Sequence, residues 1–322
     1  MAEQTLEVST KTPSSTRTVK RWYLGDRVAQ YIFLICAVLI VIIIFGIFIF
    51  LGINGFATFR DPHANIFTFF TSTNWDPQGQ NGTPSFGILG FIIGSVVTTL
   101  LSVIIATPFA FGMALFMTET TPRWLNAVLR PLLEIFSGMP SVVIGFLALI
   151  VLVPFLTRVT QSISPSPVSG LGWGAATLVL VVMILPTITS ISIDVIRAVP
   201  PSVREASLAL GSTRWQMMKS AILPAAAPGL ATAVVFGMGR AIGEALAVQM
   251  VLGGDTSIPS PFFTKGLFFQ PNVNMTLAIV AHFNNSFDTE RSAYFMIGFV
   301  LLVISFLFVC VSRYLGSRSV YQ

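Results

Sequence analysis

The sequence predicts an all-α membrane protein with six transmembrane helices, and three observations carry that prediction. The 322-residue chain is 54% hydrophobic and only 10% charged, whereas soluble domains carry about 25% charged residues. Apolar runs of about twenty residues recur along it, the length that crosses a roughly 30 Å hydrocarbon core. The polar connections between those runs share the basic residues unevenly, as membrane topology demands.

Residues 1–28 are polar, rich in Ser and Thr, and basic, and read as a flexible tail. Residues 29–322 then form one six-span membrane domain. The run 29–53 is too long for the apolar core of a signal peptide and lacks a small-residue cleavage site, so it reads as a retained anchor. The other spans are read at 86–117, 140–155, 173–196, 229–252 and 293–312. Pro108 and Pro186 fall inside the second and fourth, where membrane helices tolerate proline at the price of a kink. Cys36 and Cys310 both sit in apolar runs, so neither a disulfide framework nor a metal-ligand spacing is implied.

Six spans put both ends of the chain on one side. Thirteen basic residues lie on that face: Lys11, Arg17, Lys20, Arg21, Arg27, Arg123, Arg130, Arg197, Arg204, Arg214, Lys219, Arg313 and Arg318. The opposite face holds four, Arg60, Arg158, Lys265 and Arg291. The positive-inside rule makes the thirteen cytoplasmic, both termini with them, and explains the net charge of +5 without any nucleic-acid partner. The outer connections mix polar residues with Trp75, Phe262, Phe263, Phe268 and Phe269; these aromatics suit docking of a partner, packing against one another or the lipid headgroup belt equally.

One cytoplasmic stretch, residues 200–224, is a polar island between apolar runs. Pro200 and Pro201 stop what precedes it, and Ser202 with Glu205 has the spacing of a capping box. A short helix is expected to about Leu210, with Gly211 as its left-handed stop. Ser212 is expected to cap a second helix through Trp215 and Met218 that ends before Pro224. Capping signals alone fit an ordinary loop. However, Glu205-Ala206-Ser207, then Gly211, then Leu223-Pro224 resembles the E-A-A-x3-G-x9-I-x-L-P loop of ABC-importer permeases, whose short helix docks in a groove of the ATPase subunit. Ser207 and Ala221 depart from that pattern.

The fifth span carries Arg240 and Glu244. Arg240 lies about 17 Å in from Gly229, at about 1.5 Å per residue. Glu244 is placed one turn further out on the same face. Each charge costs about 2.5–3.5 kcal/mol at mid-membrane, so the pair faces either a polar path or a helix interface where the two neutralise each other. Gly237, Gly239 and Gly243 keep that side thin enough for a backbone or ligand to approach.

Gly239-Arg240-Ala241-Ile242-Gly243-Glu244 resembles the G-R-A-[IL]-G-E run of phosphate-importer permeases of the Pst system. Gly138-Met139-Pro140-Ser141-Val142-Val143 with Gly145, and Asn74-Trp75-Asp76-Pro77 with Phe86-Gly87, are similar to further segments of the PstC-type subunit. The resemblance implies a type I ABC-importer permease (MetI-like) fold in a bacterial inner membrane. It also implies four kinds of partner: a homologous PstA-type permease, a PstB-type ATPase dimer, a PstS-type phosphate-binding protein and membrane lipid. Arg240 and Glu244 would then line the phosphate path, and Arg204, Glu205, Ala206 and Gly211 would couple it to the ATPase. The chain has no G-x-x-x-x-G-K-[ST] loop, so it is expected to be no enzyme and to hold no cofactor, ATP and Mg being bound by the ATPase chain. Two alternatives stay open: a permease of the same fold for sulfate or molybdate, and an ion-coupled secondary transporter, which also places ionisable groups at mid-membrane.

Overall fold

The computed structural model describes residues 16–79, 82–162, 169–256 and 267–318. In chain order the helices are α1 (Thr16–Phe56), α2 (Ile66–Thr71), α3 (Leu89–Leu115), α4 (Arg123–Gly138), α5 (Ser141–Leu147), α6 (Val153–Gln161) and α7 (Trp173–Ala198). They continue as α8 (Pro201–Ala209), α9 (Arg214–Met217), α10 (Leu223–Gly243), α11 (Leu246–Leu252), α12 (Met275–His282) and α13 (Asp288–Arg318). A two-stranded hairpin, β1 (Trp75–Asp76) and β2 (Ser85–Phe86), pairs Trp75 with Phe86. The chain divides into two units, Met1–Phe50 and Leu51–Gln322.

Among the described residues, six helical stretches are long and apolar enough to cross a membrane, Val28–Arg60, Leu89–Thr120, Ser141–Gln161, Trp173–Ala198, Arg214–Gly243 and Asp288–Tyr314. The six-span expectation therefore holds, but several boundaries move: the first span ends at Arg60, the third at Gln161, and the sixth begins at Asp288. Thr16–Val28 belong to α1, so that part of the expected flexible tail is helical; residues 1–15 lie outside the described ones. The fifth span runs 214–243 rather than 229–252, because its helix begins before Pro224 and breaks after Gly243.

Prolines explain part of this. A proline ring collides with the carbonyl four residues back and removes a helical N–H. Thr121, Val153 and Leu223 each precede a proline, and each donates instead to the carbonyl five residues back, on Phe116, Ala148 and Met218. These widened π-turns let a helix approach or pass its proline without a break, so Pro224 does not end the helix that starts at Arg214. Pro108 and Pro186 lie inside α3 and α7, which run on as single elements past them.

The bundle of the larger unit is built on α3 and α7, which share its most extensive helix interface. Every fourth residue of α3 is small and buried: Gly90, Gly94, Thr98, Ser102, Ala106, Ala110 and Ala114. That spacing keeps one stripe of the helix thin over seven positions, which lets neighbouring backbones close in where lipid supplies no hydrophobic drive. α7 in turn buries larger residues, among them Leu180, Met183, Ile184, Ile188 and Ile196. α10 joins α7 in the same way, Gly237 facing Ile188 and Gly229 facing Val195.

The end of the bundle opposite residues 197–228 is closed by folded connections. Asn274 caps α12 by accepting from Leu277 N at 2.8 Å, and Met275 N donates to Ser95 Oγ on α3 at 3.0 Å. Trp75 packs on Phe86, Phe91 and Tyr294, and Phe268 packs on buried Trp173. Trp75 and Phe268 thus pack against other aromatics of the chain and stay half-buried; Phe262 and Phe263 lie outside the described residues. Asp61 accepts from His63 N at 3.0 Å and from the Thr289 hydroxyl at 3.0 Å, and its carboxyl is held below the usual carboxylate range, chiefly by that His63 N–H.

A Cβ added at Gly94 would stand 2.6 Å from Val273 O, whereas one at Gly112, also in α3, would meet nothing within 4 Å. Gly94→Ala is therefore expected to lower stability by about 1–3 kcal/mol through overpacking. Gly112→Ala should be neutral or stabilising by up to about 1 kcal/mol from helix propensity. Thermal unfolding of the detergent-purified variants checks the contrast.

Candidate functional site

Arg240 stands in the last turn of α10, three residues before the helix ends at Gly243. Glu244 does not continue that helix. Its backbone turns extended at φ −78° and ψ 111°, and α11 starts two residues later. The expected i,i+4 neighbours are thus separated by a break, and they form no ion pair; among the described residues such pairs are Arg130–Glu134 and Arg204–Glu119. Local sequence favours the break. Gly239 and Gly243 would have nothing within 4 Å of an added Cβ, so they serve no packing contact and leave the helix end weak.

Arg240 Nη1 donates to Thr187 Oγ1 on α7 at 2.9 Å, and Nη2 reaches Ser137 O at the end of α4 at 3.5 Å. Glu244 Oε1 accepts from Ala247 N at 3.5 Å, across the start of α11. Both charged side chains are half-buried, and the two glycines beside them are exposed. A guanidinium has five N–H groups in a planar fork, so most of its donors remain available on the open side. Behind the break α11 is held rigidly, since a Cβ at Gly145 of α5 would lie 2.7 Å from Ala247 Cα.

Sequence reasoning missed what adjoins Arg240. Residues 118–139 are not a simple connection: most of them form α4, which buries none of its side chains. Arg130, Glu134 and Ser137 of α4 line a cavity of about 340 Å³ together with Ser190, Asp194 and Arg197 of α7. Ser137 is common to this cavity and to the Arg240 contact, so a polar strip runs from the helix break toward the 197–228 end. The i, i+4, i+7 spacing of residues 130, 134 and 137, set against Trp124, Val128, Leu132 and Ile135, is the signal that would have found it.

The 200–224 stretch folds as two short helices around Gly211, whose φ of +81° is the expected left-handed stop. Its caps differ from expectation. α8 begins at Pro201, with Pro200 in the cap position and no side-chain cap bond. Ser202 therefore lies inside the first turn, where proline's fixed φ starts the helix without help. Thr213, not Ser212, caps α9, in a capping box with Gln216: Gln216 N donates to Thr213 Oγ1 at 3.3 Å and Thr213 N to Gln216 Oε1 at 2.8 Å. Ser212 is engaged elsewhere, donating to Ser207 O at 2.7 Å. The second helix also does not end before Pro224; a π-turn at Met218–Ile222 carries it into α10.

Glu205, Ala206 and Gly211 are exposed, beside a ridge of Leu208, Leu210 and Trp215 that is 45%, 89% and 65% exposed. Arg204 faces the other way. Its Nε and Nη2 donate to Glu119 Oε1 at 3.2 and 3.0 Å, and Nη2 also reaches Ile196 O at 2.9 Å. Beneath it lies a separate apolar cluster, including Ala114, Met117, Ile196, Val199, Met217 and Ile222, at the ends of α3, α7 and α10.

The profile of the family described as "Binding-protein-dependent transport system inner membrane component" matches residues 106–320. The chain belongs to this family. It is 45% identical over 290 residues to a probable ABC transporter permease protein, YqgH, of Bacillus subtilis, covering 88% of each chain. It is 32% identical over 260 residues to the phosphate transport system permease protein PstC of Xylella fastidiosa (76% of this chain, 77% of that one). To PstC of Mesorhizobium japonicum it is 31% identical over 323 residues (95% and 94%).

Two solved structures share the MetI-like fold of this inner-membrane component. One is a bacterial ABC transporter involved in the import of alginate, with TM-score 0.60 at 15% identity over 92% of this chain and 99% of the other. The second is the inward-facing MetNI methionine transporter, with TM-score 0.57 at 17% identity over 73% and 96%.

Nothing stands within 4 Å of a Cβ at Gly211, so the demand there is on the backbone alone. Gly211→Val should cost about 1–2 kcal/mol for the left-handed conformation, while Gly211→Asn should be close to neutral. Hydrogen exchange across residues 201–217 reads the difference.

Proposed function

We propose that this permease subunit forms half of a phosphate translocation path and is driven by a separate ATPase that grips the exposed face of α8 and α9. The observation that carries the reading is Arg240: a guanidinium with no carboxylate partner among the described residues, held by Thr187 and Ser137 beside a broken helix. Interrupted membrane helices are where transporters place binding groups. The PstC relatives at 31–32% identity support phosphate as the cargo.

Phosphate near neutral pH keeps at least one proton. Arg240 donates to its oxygens in the planar geometry that suits phosphate. Glu244, ionised, accepts a hydrogen bond from the ligand's P–OH, a donor that sulfate lacks. The charges of Arg240 and Glu244 cancel, so a dianion in low dielectric needs another cation, and the second permease of the pair supplies it. The partners are that homologous permease, two ATPase subunits and an extracytoplasmic phosphate-binding protein. The ends carrying thirteen basic residues are cytoplasmic, so α8 and the polar strip along α4 and α7 open toward the ATPase.

Reconstituted with those partners, the complex is expected to take up radiolabelled phosphate only with ATP, and excess sulfate should not compete. Arg240→Gln should reduce uptake by about 10²-fold or more, in line with the loss of one preorganised charged donor, with the complex still assembled. Assembly survives because the Thr187 hydroxyl can turn to its own helix, as Thr189 does toward Leu185 O at 2.7 Å. Normal uptake by Arg240→Gln removes the proposed path; uptake driven by an ion gradient without ATP points to a secondary carrier.

A further inference from the structure

We propose that Glu119 and Arg204 form a bracket that transmits movement of the ATPase-facing helix α8 into spans α3 and α7. This rests on the coupling role given above to residues 200–224, and it adds a residue, Glu119, that lies 85 positions away in sequence.

α8 has no buried side chain, so packing gives it little hold on the membrane domain. Besides its two chain ends and half-buried Val203, which rests on the apolar cluster beneath, its grip is Arg204. One guanidinium makes four contacts: two with Glu119 Oε1, and one each with Ile196 O at 2.9 Å and Val199 O at 2.5 Å. Glu119 sits in the π-turn that prolongs α3, while Ile196 and Val199 end α7. Carbonyls in the last turn of a helix are short of intrahelical donors and carry the negative end of the helix dipole, which suits a cation; Ile196 O accepts from Val199 N at 3.3 Å as well as from the guanidinium. The pair is not a solvated surface contact, because the two side chains are only 22% and 11% exposed.

The placement makes the bracket directional. α3 and α7 form the main interface of the bundle, so the bracket grips both partners of one rigid pair. On α7, Thr187 lies about 14 Å along the helix from Ile196, at about 1.5 Å per residue, and Thr187 holds Arg240. A displacement of α8 therefore reaches the guanidinium at the helix break through one hydrogen-bonded fork and one continuous helix. Lysine cannot reproduce the fork, since its single ammonium cannot meet a carboxylate and two separate carbonyls in plane.

The test uses the full complex in proteoliposomes, with binding protein present, measuring labelled phosphate imported and ATP hydrolysed in the same vesicles. Glu119→Ala leaves the Arg204 contacts to α7 in place and is expected to keep the ATPase subunits bound and hydrolysing at their basal rate, while losing stimulation by binding protein. Phosphate imported per ATP should fall about tenfold, within the range of coupling between distant sites. Arg204→Lys should lower that ratio at least as far. An unchanged ratio in Glu119→Ala overturns the bracket, as does a loss of yield, hydrolysis and uptake in equal proportion, which marks a purely structural contact. A wild-type complex whose hydrolysis is stimulated by binding protein but which moves no phosphate removes the phosphate reading instead. The bracket then stands or falls on whether Glu119→Ala loses that stimulation.

Discussion

Close approach of α3 and α7 along the stripe from Gly90 to Ala114 is the constraint on which the rest of the structure depends. In lipid, burying leucine against leucine gains little over burying it against acyl chains, so helix association depends on backbone proximity and fitted contacts. A thin face on one helix and a broad face on the other supplies both. The same device recurs where Gly229 and Gly237 let α10 lie on α7, and where Gly145 lets α11 lie on α5. With three helices so held, α7 becomes a fixed rail, and the side chains it presents have fixed addresses.

Arg240 owes its position to that rail and to the failure of its own helix. Were α10 continuous through Glu244, the two charges would face each other one turn apart and neutralise. The break at Gly243–Glu244 sends the carboxylate toward Ala247 N and leaves the guanidinium to Thr187 and Ser137. Gly239 and Gly243 meet no neighbour, in contrast to Gly237, which is pressed on Ile188; within a few residues, glycine serves packing once and conformational weakness twice.

The stretch from Pro200 to Pro224 has two faces with different chemistry. Leu208, Leu210 and Trp215 leave apolar surface exposed next to Glu205 at the end of the bundle rich in basic residues. Arg204, one position before Glu205, is turned inward and consumed by Glu119 and the end of α7. Val203 rests on the apolar cluster on that same inner side, so the helix is exposed on one face and anchored on the other.

By itself the sequence determined the all-α membrane class, the six spans, the left-handed turn at Gly211 and the family, because these follow from local composition, from residue spacing within one segment and from motifs. Only the tertiary structure decided that Ser202 and Ser212 are not the caps, that Trp75 packs on Phe86, Phe91 and Tyr294, and that Arg204 points inward. It alone placed Arg240 against residues 53 and 103 positions away instead of beside Glu244. The physical reason is the range of the interaction. A helix period or a proline is felt within a few residues, whereas the partner of a fork of N–H donors is whichever acceptor the packed helices bring within about 3 Å, and that is settled by how closely their small residues allow them to meet.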